Sequence, residues 1–311
     1  MRIVFFGTPD FAVESLDAIV QSSHEVAAVV TVPDRQAGRG QKIIYSAVKD
    51  YALAHNLPLL QPEKLRDPAF LEALAAYHAD MFVVVAFRML PEAVWNMPPH
   101  GTFNLHASLL PRYRGAAPIN WAIINGERET GVTTFLLNHN IDEGAILLQE
   151  RTPIAPDETA GSLHDRLAAM GRDLVVRTLD AIENGTVTPH PQQGDACPAP
   201  KIFKDDCRID FSRPAVDVER FVRGLAPYPA AIATFVSPKG EEIPFKIFSV
   251  QAVEEPHKNP CGTLISDGKK VLKVATGNGF VSIMELQMAG KKRNNVEDFL
   301  RGNSLIGWKP A

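Results

Sequence analysis

Met81-Phe-Val-Val-Val-Ala86 is an unbroken apolar run with no polar alternation. A strand with one wet face alternates apolar and polar residues, so a run like this must be covered on both faces. Ile3–Phe6 and Val26–Val32 have the same character. Between these runs lie stretches with apolar residues at helical spacing: Phe11–Val20, Ser46–His55 and Pro68–Tyr77. Buried strands alternating with amphipathic helices predict an α/β fold around a mostly parallel sheet. The first strand ends at Gly7, with Thr8 as the expected helix cap and Pro9 in the first turn. No Gly-x-Gly-x-x-Gly follows that strand, which argues against a dinucleotide site and a nucleotide-dependent oxidoreductase.

The stretch from Thr102 to Pro118 is the most informative. Thr102, Phe103 and Leu105 suit a buried strand, on which Asn104, His106 and Ser108 would face the same way. Pro111 ends the strand, Gly115 permits a tight turn, and a helix is expected over Ile119–Ile124. Ligands of open parallel sheets bind beyond the carboxyl ends of the strands, so these polar groups could face a crevice. They could equally be a core His and Asn satisfied by backbone bonds, and the residues alone leave both readings open.

The 311 residues suffice for one large or two moderate domains. No apolar run approaches the roughly 20 residues that span a bilayer, and the N-terminal apolar run is too short for a secretory leader. Cys197, Cys207 and Cys261 are odd in number and widely spaced, which fits a reducing cytoplasm better than a disulfide framework or zinc site. The net charge of −4 conceals an asymmetry: Cys207–Ala311 holds 15 Lys and Arg against 11 Asp and Glu, leaving the rest acidic. A basic C-terminal part hints at a polyanionic partner, although the excess alone is within ordinary scatter.

The contiguous run Asn104-Leu-His-Ala-Ser-Leu-Leu-Pro-Arg-Tyr-Arg-Gly115 closely resembles the signature of the folate-dependent formyltransferases. Two further segments resemble the branch of that family that acts on methionyl-tRNA: the opening Gly7-Thr-Pro-Asp-Phe-Ala12 and the loop Pro33-Asp-Arg-Gln-Ala-Gly-Arg-Gly-Gln-Lys42. By composition alone that loop is a mobile, cationic, solvated segment. The resemblance implies that it inserts at the tRNA acceptor end, with Arg39 as a tRNA contact. Asn138–Gly144 resembles the family's second catalytic loop, with Asp142 two residues before Gly144. His139 reads as a surface histidine. Phe87-Arg88 stands where the family more often has Tyr-Gly, in a loop that flanks the folate.

The resemblance implies a Rossmann-like formyltransferase domain over 1–184. Ser162–Ile182 forms its closing helix, 185–206 a proline-containing linker, and 207–311 a small OB-like β-barrel that binds tRNA. Strands are expected in the last part over Ala231–Val236, Ile243–Val250, Gly262–Ile265, Val271–Ala275 and Phe280–Leu286, with Ala289–Arg293 as a basic cluster. The implied reaction moves formyl from the cosubstrate 10-formyltetrahydrofolate to the amine of initiator methionyl-tRNA, in translation initiation. The implied protein is a cytoplasmic monomer that uses no metal and meets no membrane. Asn104 would donate to the oxyanion, His106 would act beside it as imidazolium, and Asp142 would orient His106. Ser108, Leu109, Leu110 and Pro111 would line the folate cradle. Two alternatives are a formyltransferase for an aminosugar nucleotide and a non-catalytic RNA-binding scaffold. The Arg39 loop disfavours the first, and the intact Asn104, His106 and Asp142 disfavour the second.

Overall fold

The computed structural model describes residues 1–37 and 42–311. By its contacts the chain divides into two compact units. The first comprises Met1–Gly115, Glu129–Pro153 and His164–Ala199; the second comprises Ala116–Arg128, Ile154–Leu163 and Pro200–Ala311. The long helix Ala160–Glu183 therefore begins among the residues of the second unit and runs on into the first.

The strands of the first unit are β1 (Arg2–Gly7), β2 (Glu25–Val30), β3 (Arg35–Ala37), β4 (Lys42–Ile44), β5 (Leu59–Leu60), β6 (Met81–Val85), β7 (Thr102–His106), β8 (Arg112–Arg114), β9 (Glu129–Leu136), β10 (Ile146–Pro153) and β11 (Cys197–Pro198). Its main sheet has the order β10-β9-β7-β6-β1-β2-β5. The five strands from β7 to β5 are parallel, and β9 is antiparallel to both of its neighbours. Every residue of β6 is buried, as its unbroken apolar run requires. Phe82 pairs with Thr102 and Val84 with Asn104, so Thr102, Asn104 and His106 share a face with the cluster of Phe6, Val30, Phe70, Leu74, Phe82 and Val84. The opposite face of β7 carries Phe103 and Leu105, and Leu105 packs so closely on Gly171 of the long helix that a Cβ there would lie 2.5 Å from it.

Helix starts follow local chemistry. The Ser46 hydroxyl accepts from the Lys49 amide, and the Asp67 carboxylate from the Ala69 amide, ahead of helices Ala47–Ala54 and Pro68–Ala75. The first helix departs from expectation. It spans Asp10–Gln21 with Pro9 at the cap position and no side-chain cap, so Thr8 does not serve as one. Asp10 instead places its carboxylate in the first turn and accepts from the Phe11 amide, where negative charge suits the helix dipole. The flanks of the cationic loop pair as the short hairpin β3–β4.

The second unit holds β12 (Ala231–Val236), β13 (Glu242–Val253), β14 (Leu264–Ser266), β15 (Leu272–Ala275), β16 (Phe280–Met288), β17 (Asn294–Asn295) and β18 (Lys309–Pro310). They form a nearly closed antiparallel barrel-like sheet in the order β14-β15-β16-β13-β12-β18, with β17 also on β16. Irregular register between β13 and β16 around Ser249 lets the long strands bend. Helix Ala215–Leu225 supplies Val218, Val222 and Leu225 to a core shared with Phe235, Phe245, Val281 and Phe299. Helix Pro118–Ile124 belongs to this unit and is tied to it by the Asn120 amide, which donates to Gly224 O at 2.7 Å.

The turn into β10 depends on Gly144, where a Cβ would sit 1.6 Å from Leu136 O. Gly144→Ala should force the turn apart and lower the melting temperature by about 4 °C or more in a thermal unfolding scan. A shift under about 1 °C would show that this turn relaxes freely.

Candidate active site

The site forms at the carboxyl end of β7, the edge where parallel sheets leave room for ligands. Asn104 is half-buried, and among the described residues nothing hydrogen-bonds its amide. An amide two residues from the end of a packed strand, held in place but free to donate, is ready for a ligand oxygen. His106, two residues on, is buried. Its Nε2 lies 2.8 Å from Tyr113 O. A carbonyl only accepts, so Nε2 carries the proton and Nδ1 is the free nitrogen of the neutral ring. Nδ1 faces Asp142 Oδ2 at 3.9 Å. The same carboxylate oxygen accepts from the Gly115 amide at 2.8 Å. The end of β7, the turn after β8 and the loop after β9 thus meet at one carboxylate. Gly115 has φ +122°, and a Cβ there would lie 2.6 Å from Ala199 O.

The turn between β7 and β8 is built around Thr133. Its hydroxyl donates to Ser108 O at 2.6 Å and accepts from the Leu110 amide at 3.3 Å and Gln149 Nε2 at 2.8 Å. Ser108 is fully buried and donates to Arg112 O at 2.6 Å. Leu110 is buried with Phe135 and Ile146, Pro111 is buried, and Leu109 is half-buried. The run Ser108–Pro111 is therefore a rigid turn with most of its side chains turned to the interior.

At the end of β6, Phe87 packs edge-on against Phe6, and Arg88 lies over the Phe87 ring. The Arg88 guanidinium donates to Glu63 O and Pro62 O, tying two loops at this edge together. Burial pulls its pKa below the usual arginine value, and its Nε is buried without a partner. Lys49 Nζ donates to both Asp34 oxygens at 2.8 and 2.7 Å and to Gln61 at 3.0 Å, and Gln61 Nε2 donates to Asp34 at 2.8 Å. These bonds hold the Asp34 carboxyl below its ordinary pKa. Arg39 lies outside the described residues. His139 is exposed, stacked edge-on against Trp95 and 3.8 Å from Glu92.

Residues 1–179 match a family model described as formyl transferase, and residues 201–304 match a model described as its C-terminal domain. The chain belongs to the formyl transferase family. It is 56% identical over 310 residues to the methionyl-tRNA formyltransferase of Bacteroides thetaiotaomicron, covering 98% of this chain and 96% of that one. It is 52% identical over 304 residues to the methionyl-tRNA formyltransferase of Flavobacterium johnsoniae, covering 97% and 96%. Among solved structures it resembles HypX from Aquifex aeolicus in complex with tetrahydrofolic acid, with a TM-score of 0.65 at 21% identity, covering 96% of this chain and 47% of that one. It also resembles WlaRD, a sugar 3N-formyl transferase, with a TM-score of 0.65 at 19% identity, covering 94% and 99%.

Within the formyl transferase fold, the structure brings Asn104, His106 and Asp142 to one edge of the sheet. Sequence reading missed Tyr113, whose carbonyl sets the His106 tautomer, and the Gly115 amide, because both act through the backbone. It also missed Thr133 and Gln149, which look in sequence like ordinary strand residues. A grouping of His24, Asp180 and Glu183 offers metal-type ligands elsewhere. His24 lies just before β2, at the amino edge of the parallel strands, away from β7's carboxyl end. Its Nε2 is 3.0 Å from Asp180, and Glu183 accepts from the Met1 ammonium at 2.8 Å.

All three hydrogen-bonding capacities of the Thr133 hydroxyl are used. Thr133→Val should leave Ser108 O and the Leu110 amide unsatisfied in the interior at a cost of about 1–3 kcal/mol. Chemical denaturation would show this as a lower midpoint at unchanged slope, and an unchanged midpoint would mean that the turn does not depend on this hydroxyl.

Proposed function

We propose that this protein transfers the formyl group of 10-formyltetrahydrofolate to the α-amino group of initiator methionyl-tRNA. The observation that carries the chemistry is the unpartnered Asn104 amide two residues before His106, whose Nδ1 faces Asp142. The acceptor follows from two near full-length relatives named for methionyl-tRNA.

The amine attacks the formyl carbon, a carbon–nitrogen bond forms, and the carbonyl electrons collect on oxygen. That oxyanion needs donors fixed in advance. Asn104 Nδ2 is one, held by a strand paired on both sides. His106 is the second when protonated at Nδ1. Its Nε2–H is already committed to Tyr113 O, so only Nδ1 can exchange a proton with the reacting groups. Collapse of the intermediate breaks the bond to the folate N10, and the proton lost by the amine returns to that nitrogen. The Asp142 carboxylate faces Nδ1 and offsets its charge as the proton moves. No covalent enzyme intermediate is required. Cys197, beside these loops, accepts from the Tyr113 amide at 3.3 Å.

The remaining assignments belong to the same proposal. Ser108–Pro111 forms one wall of the folate cradle, as a fixed turn. Arg39 contacts the tRNA, and the Lys49–Asp34 pair anchors the base of its loop. The barrel-like unit supplies a further tRNA surface, although Arg293 in its basic cluster already pairs with Glu285 at 2.6 Å and lies over Phe248. Lys291 and Lys292 are the exposed charges left for phosphate there. By function, residues 1–184 are the catalytic domain, 185–206 a linker whose first part packs against that domain, and 207–311 the tRNA-binding domain. The protein acts as a monomer in the cytoplasm. No helix among the described residues is long and apolar enough to cross a membrane.

The test is to supply 10-formyltetrahydrofolate with charged initiator tRNA or with an aminosugar nucleotide and to follow release of tetrahydrofolate. Release is expected only with the charged tRNA; release with the sugar would overturn the acceptor. Asn104→Ala, His106→Ala and Asp142→Ala should each lose about 10²–10³ in kcat at nearly unchanged melting temperature. Wild-type turnover in His106→Ala would defeat the mechanism. Arg39→Ala should instead raise KM for the tRNA and flatten its salt dependence.

A further inference from the structure

Residues 185–206 read in sequence as a tether, yet part of this segment is built into the catalytic edge. His190 exchanges two backbone bonds with Ile146, at 2.8 and 3.0 Å. Cys197–Pro198 pairs with β8 as β11, and the Ala199 amide donates to Arg114 O at 2.7 Å. Between these two anchors stands Gln192.

The Gln192 amide uses its full capacity. Nε2 donates to Asp142 O at 2.7 Å and to Gly144 O at 3.0 Å. Oε1 accepts from Arg114 Nε at 3.1 Å and Arg114 Nη2 at 2.7 Å. A flipped amide would set N–H against guanidinium N–H and oxygen against two carbonyls, so this orientation is dictated by its partners. Arg114 continues to Glu143 at 2.8 Å, and the Gly115 amide holds the Asp142 carboxylate. The Asp142 backbone sits at φ +54°, a left-handed conformation costly for a residue with a Cβ. It persists because both ends of the residue are gripped, the carboxylate by Gly115 and the carbonyl by Gln192.

We propose that Gln192 is a positioning residue for formyl transfer, clamping the Asp142 loop to Arg114-Gly115 so that the carboxylate stays opposite His106. This rests on the reading of Asp142 as a participant in the reaction. β8 pairs with β11 and not with β9 or β10, so no strand ladder joins the two catalytic loops directly. Side chains and single amides make that join instead: Gly115 on the Asp142 carboxylate, Arg114 on Glu143, and Gln192 bridging the Asp142 and Gly144 carbonyls to Arg114. At 3.9 Å, Nδ1 and the carboxylate have little slack, and a loosened loop would weaken their interaction without removing either group.

Gln192→Glu tests this. It keeps an oxygen for Arg114 but faces two carbonyls with a second oxygen in place of donors. Steady-state kinetics should show kcat reduced about 10–100-fold, with KM for folate and for tRNA within about threefold of wild type. Gln192→Ala should behave alike. Combined with Asp142→Asn, Gln192→Glu should cost less than about threefold more, because its effect runs through a carboxylate already neutralised. Three results would overturn the inference: wild-type kcat in Gln192→Glu while Asp142→Asn is impaired, fully additive losses in the double variant, or a kcat loss matched by loss of folded protein in both Gln192 variants. Wild-type turnover in Asp142→Asn alone would overturn the underlying reading and the clamp with it. That result comes from a protein with Gln192 intact, so the two failures are distinguishable.

Discussion

Two-sided burial of the central strands is the constraint on which the rest of the first unit depends. β6 has no exposed residue, and β7 has only Asn104 partly open. Between two packed layers an unpaired polar group costs about 1–3 kcal/mol, so polar chemistry can emerge only at an edge. At the carboxyl edge the apolar run of β6 gives way to Phe87-Arg88, and β7 closes on His106. The chain leaves the sheet there through residues whose backbone groups find partners side by side: Thr133 with Ser108 and Leu110, Tyr113 with His106, Gly115 with Asp142. The reactive geometry is thus a consequence of how the strands end.

The parts of the fold legible in the sequence are those specified by local pattern. Continuous apolar runs marked β1, β2 and β6 because only a covered strand tolerates them. Apolar residues at helical spacing marked the helices over Ser46–His55 and Pro68–Tyr77, while the side-chain caps at Ser46 and Asp67 emerge only in the fold. Where a cap depended on which of two adjacent residues began the helix, as at Thr8 and Pro9, the pattern pointed one residue too early. The short pairings β3–β4 and β8–β11 were not legible. Neither segment has a period; their pairing depends on what lies beside them once the chain is folded. The same holds for helix Pro118–Ile124, which groups with residues about a hundred positions later through Asn120 and Gly224.

The candidate site divides along the same line. That Asn104 and His106 share a face was legible from a strand's two-residue period, and Asp142 was singled out because its loop resembles that of a known family. Their supports were not. Thr133, Tyr113, Gly115 and Gln192 act through hydroxyl, carbonyl, amide hydrogen and side-chain amide, and nothing in their residue types or spacing marks such roles. Gln192 was hidden further by its surroundings, since a segment containing four prolines looks like a spacer. Proline restricts φ and removes a donor, which also suits a segment that must run extended beside a short strand and present one side chain at a set position.

The backbone conformations at this edge carry the argument one step further. Six residues other than glycine have positive φ among the described residues, and Ala86, Tyr113 and Asp142 follow β6, lie in β8 and follow β9. Each would gain about 1–2 kcal/mol by relaxing to a right-handed conformation. Tyr113 is kept from doing so by its amide on Cys197 Sγ and its carbonyl on His106, and Asp142 by Gln192 and Gly115. In both cases the groups that offset the strain are the ones that set the histidine–carboxylate geometry. A change that loosens the edge therefore releases strain as it disperses the candidate site groups, so stability and the proposed activity need not move together here. Positions such as Gly144 differ: the close approach of Leu136 O leaves no room for a side chain, and the fold itself sets the residue.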